Sequence, residues 1–256
     1  MSDLDLLNEV AREAGALALR HQAAGLTIFS KQGGSPVTDG DLAVNALLHE
    51  RLLGARPDYG WLSEETADNP NRLERRRLFV VDPIDGTTAY VNKTPWYSIS
   101  IAVVEDGRPV AGVVCAPALQ QHYAAEAGAA ATLNGDPIQV SGRRDLEDCA
   151  MIADARAMAA AEWPPMKVSR RNSIALRLCL VASGAFDAMA SVSHLHEWDM
   201  AAGQLIAQLA GATLSDGRGE PIAYNRASPR SRGLICANMG LHSLIRDRLA
   251  AMPAPQ

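Results

Sequence analysis

The chain has 256 residues, enough to bury a substantial core as one large domain or two closely packed halves. Hydrophobic residues make up 48% and charged residues 21%, a balance that excludes disordered and fibrous classes. The formal net charge of −5 argues against a nucleic-acid coat or an anionic membrane surface as partner, since either favours a basic face. Arg75, Arg76 and Arg77 form a run beside Glu74 that reads as a solvated loop or strand entry. The four cysteines (Cys115, Cys149, Cys179 and Cys236) lie far apart in apolar runs without a CxxC pair, and read as buried small hydrophobes in a reducing compartment. Met1 to Asp5 lacks a basic leader, and no apolar run reaches the roughly 20 residues of a bilayer span. The expectation is a soluble, cytoplasmic protein.

In chain order, the first 25 residues predict an amphipathic helix. Ser2 caps it, Leu7, Val10, Ala11, Ala14, Leu17 and Ala18 form one stripe, and Gly25 stops it. A loop through Lys31 to Pro36 precedes a second helix from about Asp41, with Leu42, Leu47, Leu48 and Leu52 as its apolar side. Tyr59 to Ser63 and Leu78 to Val81 are short, apolar and strand-like. Ser98 to Val104, Pro109 to Ala116 and Gln121 to Glu126 read as a meander, with turns at Glu105-Asp106-Gly107 and Asn134-Gly135. A polar stretch from Ser141 to Asp148 is the candidate boundary between a half at 1–146 carrying metal-binding loops and a half at 147–256 completing the site.

Beyond it, strands are expected at Ala150 to Ala153 and Ala185 to Ala190, and short ones near Thr213, Ile222 and Leu234. Helices are expected at Ser173 to Ser183, Asp199 to Ala210 and after Asn238. No repeat period is present. The mixture predicts an α/β (α+β layered) fold of alternating helix and sheet layers, with a largely antiparallel first sheet and a mixed second one.

The most informative segment is Phe79-Val80-Val81-Asp82-Pro83-Ile84-Asp85-Gly86-Thr87-Thr88. An apolar strand delivers Asp82, Pro83 stiffens the exit so that the Ile84 carbonyl can point outward, and Asp85 brings a second carboxylate to the same place. Gly86-Thr87-Thr88 looks like the opening of a helical turn, whose free N–H groups suit an anion. Hard oxygen ligands beside an anion cradle are what Mg²⁺-assisted phosphate chemistry needs. Taken alone, the segment is equally an Asp-capped turn at a strand end. Two remote features shift the balance: Trp61-Leu62-Ser63-Glu64-Glu65 places acids after another strand, and Glu197-Trp198-Asp199 starts a helix with an acid.

Together these motifs resemble the inositol monophosphatase family of Mg²⁺-dependent, lithium-sensitive phosphatases, and the resemblance covers essentially the whole chain, Ser35-Pro36-Val37-Thr38 and Asp41 included. It implies metal binding by Glu64, Asp82, the Ile84 carbonyl, Asp85 and Asp199, with two or three Mg²⁺ ions for which Mn²⁺ substitutes. It implies phosphate held by the amides of Gly86 and Thr87, and a water oriented by Thr87 paired with Asp41, with Glu64 also counted in the catalytic set. It implies a homodimer. The reaction so implied is hydrolysis of a small phosphate monoester by metal-activated water, with no covalent protein nucleophile.

The substrate side departs from the inositol pattern. The acid expected shortly before Trp-Asp is replaced by Ser191-Val192-Ser193, leaving Glu197 as the nearest acid. Asp85, Thr88, Ser191, Ser193 and Glu197 are the candidates to meet a polyol. Ser35-Pro36-Val37-Thr38, Ala116-Pro117-Ala118 and Glu197-Trp198-Asp199 are closer to the related 3′(2′),5′-bisphosphate nucleotidases, whereas Thr88, where those enzymes carry lysine, is inositol-like. A nucleotide's second phosphate would need a cation, with Arg170, Arg171, Arg177 and His194 as candidates. His194-Leu195-His196 raises a zinc reading that the absence of nearby cysteine weakens; pocket-rim or loop residues are the alternative. A non-catalytic binding or regulatory relative is the remaining alternative, although none of the implied ligands is missing.

Overall fold

The structure is a computed structural model and describes residues 1–31, 35–159 and 162–250. Helix α1 (Asp3–Ala24) starts at a capping box in which Ser2 and Asp5 satisfy each other's backbone N–H groups. Strands β1 (Ile28–Ser30) and β2 (Pro36–Thr38), not foreseen, pair antiparallel on either side of the expected loop, of which Gln32, Gly33 and Gly34 lie outside the described residues. Helix α2 (Asp39–Ala55) has a second capping box, Thr38 with Asp41. Its inward face is Val44, Leu48 and Leu52, whereas Leu42 is 45% exposed. The helical spacing from Leu48 selects Val44, four residues earlier, and turns Leu42 outward.

Next come β3 (Gly60–Ser63), β4 (Arg77–Asp85), the short helix α3 (Thr87–Val91), β5 (Ser98–Glu105), β6 (Arg108–Ala116), β7 (Gln121–Glu126), β8 (Thr132–Leu133) and β9 (Asp136–Pro137). They form a seven-stranded sheet in simple chain order, antiparallel except for the β3–β4 pair. After the polar stretch follow β10 (Ala150–Ala153), α4 (Ala155–Ala159), β11 (Lys167–Ser169), α5 (Ile174–Ala182), β12 (Ala188–His196), α6 (Glu197–Leu209), β13 (Thr213–Ser215), β14 (Arg230–Ala237) and α7 (Met239–Ala250). Their five strands form a mixed sheet in the order β11-β10-β12-β14-β13. Ile222 is not in a strand; its segment runs as loop between β13 and β14. β12 extends six residues past the expected Ala190, so both histidines of His194-Leu195-His196 are strand residues.

Alternation along β4 shows how the layers are built. Phe79 and Val81 pack with Leu7, Val10, Val44 and Leu48 of α1 and α2. Leu78 and Val80 face the other way, into a core shared with α5 and α6. That core also contains Ile152, Met189 and Leu234 from the second sheet, whose opposite face meets Ala157, Leu241 and Ile245 of α4 and α7. The sequence of layers is helix, sheet, helix, sheet, helix. The central layer therefore brings α5 and α6, from the second half, against the strand that carries the two key aspartates.

Candidate active site

β4 does not end at Asp82. It pairs with β5 through Asp82↔Ser100, loses register, and pairs again at Asp85↔Ser98. This irregularity holds Asp82-Pro83-Ile84-Asp85 on the sheet while re-aiming both acids. Asp82 is 1% exposed and its Oδ1 has no hydrogen-bond partner. Burial first, then the charges of Glu64, Asp85, Asp199 and Asp41, push its carboxyl well above the ordinary range. Asp85 is gripped from the second half: Ser173 Oγ donates to its Oδ2 at 2.6 Å and the Ala175 N–H at 2.7 Å. Burial still raises it to about 6.

Gly86 follows with φ of +93°, a left-handed conformation that side chains rarely adopt. A Cβ there would also come within 2.9 Å of the Trp96 carbonyl and 3.1 Å of the Ser173 nitrogen. The glycine lets α3 begin immediately under the segment from Asn172 to Ser173. Thr87 opens that helix, and its hydroxyl lies 3.0 Å from Asp41 Oδ1 and 3.2 Å from the Ile84 carbonyl. Asp41 itself is buried, with Oδ2 taken by the Thr38 backbone and hydroxyl, and burial raises its pKa. Thr88 is exposed.

The remaining acids arrive from two loop-to-helix or strand-to-loop junctions. Glu64 follows β3, its N–H donating to the Val81 carbonyl, so the two strand ends are held side by side. Its Oε1 is 2.7 Å from Lys31 Nζ, which also meets Glu65 Oε1 at 2.6 Å. Asp199 occupies the third position of α6 and accepts the His196 N–H at 2.7 Å; burial and the neighbouring Asp85 raise it strongly. No sequence signal had singled out Lys31 or Ser173. Lys31 lies in a polar stretch, and Ser173 is only the first residue of an expected helix.

Other candidates stand elsewhere. Ser191 donates to Asp154 at 2.8 Å, and Ser193 also points to Asp154. Glu197 is 1% exposed and turns toward the 225–226 loop, whose Asn225 and Arg226 N–H groups it accepts at 2.8 and 3.1 Å. It therefore anchors a loop and offers no free carboxylate to a sugar hydroxyl. Arg177 is directed inward, donating to the Arg171 carbonyl, and Arg171 stacks on Trp96 at 4.1 Å. Arg170 is exposed. His196 stacks on Trp198 at 4.5 Å, with Nδ1 4.0 Å from Asp199.

Whether these residues suit a cation is answered by Asp82, a buried carboxylate oxygen without a donor, surrounded by four more acids. The donor set is entirely oxygen, as hard divalent ions require. Among the described residues no group of three or more His, Cys, Asp and Glu is arranged closely enough to hold a metal ion as it stands. The acids nonetheless share one region, as their combined effect on Asp82 shows, with Lys31 on the Glu64 side. All four cysteines are free and buried.

A layered helix–sheet fold with oxygen-rich acids at the irregular end of one strand, beside a helical turn, defines a hydrolase acting on phosphate monoesters. The chain belongs to the inositol monophosphatase family, whose model matches residues 2–252. It is 32% identical over 251 residues to the Nus factor SuhB of Xylella fastidiosa, covering 92% of this chain and 90% of that one. It is 30% identical over 231 residues to the 3′(2′),5′-bisphosphate nucleotidase CysQ of Escherichia coli K12, covering 86% and 93%. Among solved structures, the Thermotoga maritima IMPase superposes with a TM-score of 0.85 at 28% identity, covering 97% of each chain. SuhB from Bartonella henselae gives 0.84 at 28%, covering 96% of this chain and 98% of that one. The layered fold and the phosphatase class implied by the sequence motifs are those of the family.

Proposed function

We propose that the chain hydrolyses a small phosphate monoester with Mg²⁺, in the manner of an inositol monophosphatase. The observation that carries this is the orphaned Oδ1 of buried Asp82 amid Glu64, Asp85, Asp199 and Asp41. Glu64, Asp82, Asp85, Asp199 and the Ile84 carbonyl would hold the ions, and Mn²⁺ would serve in their place. When bound, such a cation acidifies water and neutralises phosphoryl oxygens.

The chain's own groups account for the rest. The Thr87 hydroxyl has one proton and two acceptors, and the shorter contact is to Asp41. With its proton so directed, the Thr87 oxygen presents lone pairs to a water and orients it. Asp41, raised by burial, is suited to hold the proton that arrives through Thr87. The first N–H groups of α3 have no partners within the helix, which leaves the amides at Gly86 and Thr87 to meet phosphoryl oxygens. Ser173 fixes one oxygen of Asp85 and leaves the other for the site.

The substrate is argued from two sides. Thr88, where the related nucleotidases carry lysine, favours an inositol-type monoester. A nucleoside bisphosphate is the second reading, favoured by an arginine-lined cavity next to α6. The deciding measurement is turnover of a panel of phosphate monoesters with Mg²⁺, with EDTA, and in Asp82→Asn. Loss of activity in EDTA and a fall in kcat on the order of 10³-fold in the variant are expected. Full turnover in excess chelator, or in the variant, overturns the assignment.

A further inference from the structure

A concavity of about 380 Å³ opens between the N-terminus of α6, the start of β14 and the loop that precedes it. Its walls include His194, Glu197, Met200, Arg226, Arg230 and Arg232. Of the readings above, only that of a nucleoside bisphosphate draws on this space. We propose that it is an anion site that takes a phosphate-type group.

Strand register creates the site. β12 and β14 pair His194↔Arg232, Leu195↔Ser231 and His196↔Arg230. Leu195 and Ser231 are buried, so the alternation puts the two histidine–arginine rungs together on the opposite face. The rungs are about 7 Å apart, two residues of strand rise. Neither acid lining the cavity is ion-paired with Arg230 or Arg232. Both oxygens of Glu197 accept backbone N–H groups from Asn225 and Arg226. Asp216 Oδ1 accepts those of Arg218 and Glu220. Arg226 is tied to the carbonyls of Ser228 and Arg230 and shapes the rim. Arg230 and Arg232 are exposed, and among the described residues neither pairs with a carboxylate. Two unpaired guanidiniums facing a concavity with Met200 and Ile222 in its walls suit a tetrahedral dianion on an apolar-sided carrier.

The cavity adjoins the carboxylate cluster at the start of α6. Arg230 is opposite His196, and His196 touches Asp199 through both its backbone N–H and its ring. A second phosphate on the substrate would therefore meet Arg230 and Arg232 while the first met the carboxylate cluster. A free phosphate-type anion offers the same chemistry. The substrate-borne source rests on the phosphatase reading above; the free-anion source does not.

The experiment has two arms. In EDTA and low salt, inorganic pyrophosphate is titrated calorimetrically into the wild type, the Arg230→Gln/Arg232→Gln double variant and Arg230→Lys. Without cations the acidic cleft repels polyanions, so saturable binding reports the arginine cavity. Binding should weaken about tenfold or more in the double variant and with added salt, and survive largely in Arg230→Lys. Unchanged melting shows that the variants are folded. In the second arm, kcat/KM with Mg²⁺ is compared for a mono- and a bisphosphorylated form of one substrate. A fall of about tenfold in the bis/mono ratio in the double variant assigns the anion to the substrate. An effect of added sulfate on monoester turnover that the double variant loses assigns it to a free anion. No saturable binding in EDTA, equal affinity in the double variant, or a double variant that alters neither kinetic readout overturns the proposal. Because the first arm needs no turnover, its failure is separate from any failure of the phosphatase assignment.

Discussion

Asp85 owes its position to residues about 90 places away in sequence. Ser173 Oγ donates to it, accepts the Leu176 N–H as the cap of α5, and lies 2.9 Å from Ser98 Oγ. Ser173→Ala removes a buried bond to a carboxylate and a helix cap together, so a loss of about 2–3 kcal/mol is expected by chemical denaturation. With Asp85 free to turn, the cation concentration for half-maximal activity should rise several-fold, and Ser173→Thr should restore most of it. An unchanged activation curve in Ser173→Ala would show that Asp85 does not serve the cation. Thr87 makes a contrasting case. It is partly exposed and holds only Asp41 and Ile84, so Thr87→Ala should leave stability and metal affinity nearly intact. Its kcat should fall on the order of 10²-fold, the scale of a lost water-positioning group.

At the scale of elements, the site depends on how closely α5 and α6 approach. Gly203 on α6 faces Leu178 and Ala175 of α5; an added Cβ would come within 2.8 Å of Leu178 Cδ1 and 3.0 Å of the Ala175 carbonyl. The α6 helix carries Asp199 at its third position, and α5 carries the Ser173 cap at its start. Gly203→Ala must push the two apart. A destabilisation of about 1–3 kcal/mol is expected, together with reduced turnover although the substitution touches no proposed ligand. Circular dichroism melts and steady-state kinetics measure the two effects, and wild-type turnover in a destabilised variant would show that the interhelix distance does not set the site.

For the whole molecule, the acid cluster is an electrostatic cost built into the fold. Burial raises Asp82, Asp85 and Asp199 above their unfolded values, and the charges of neighbouring acids raise Asp82 and Asp199 further. For Asp85 the folded chain holds its proton over the window from about pH 4 to about pH 6, in which the unfolded chain has lost it. Stability therefore falls as pH climbs through that window, and the penalty stays in full above the folded pKa. In EDTA at pH 7.5, Asp82→Asn should melt above the wild type, because a buried unpaired charge is gone, and the difference should shrink as pH falls. Mg²⁺ should reverse the order by stabilising the wild type, by about 2.7 kcal/mol at a hundredfold excess over Kd. A variant less stable than the wild type in EDTA at every pH would mean that Asp82 is not uncompensated.

The sequence by itself determined the layered fold and the metal-binding reading, because both rest on local signals. Capping residues and helical periodicity placed α1, alternation with Asp-Gly and Asn-Gly turns placed the meander, and Asp82 to Thr88 kept its acids and its turn within one short run. Only the tertiary structure decided which groups those acids meet. Lys31 lies against Glu64 because the β1–β2 hairpin folds over that strand end, and Ser173 grips Asp85 because the central helix layer is shared by both sheets. Glu197, the best substrate acid by sequence, is turned into a loop by two backbone donors. The arginines at 230 and 232 join the histidines through a strand pairing separated by more than 30 residues. Periodicity tells which face of an element a side chain occupies; which distant element covers that face depends on the packing of the layers.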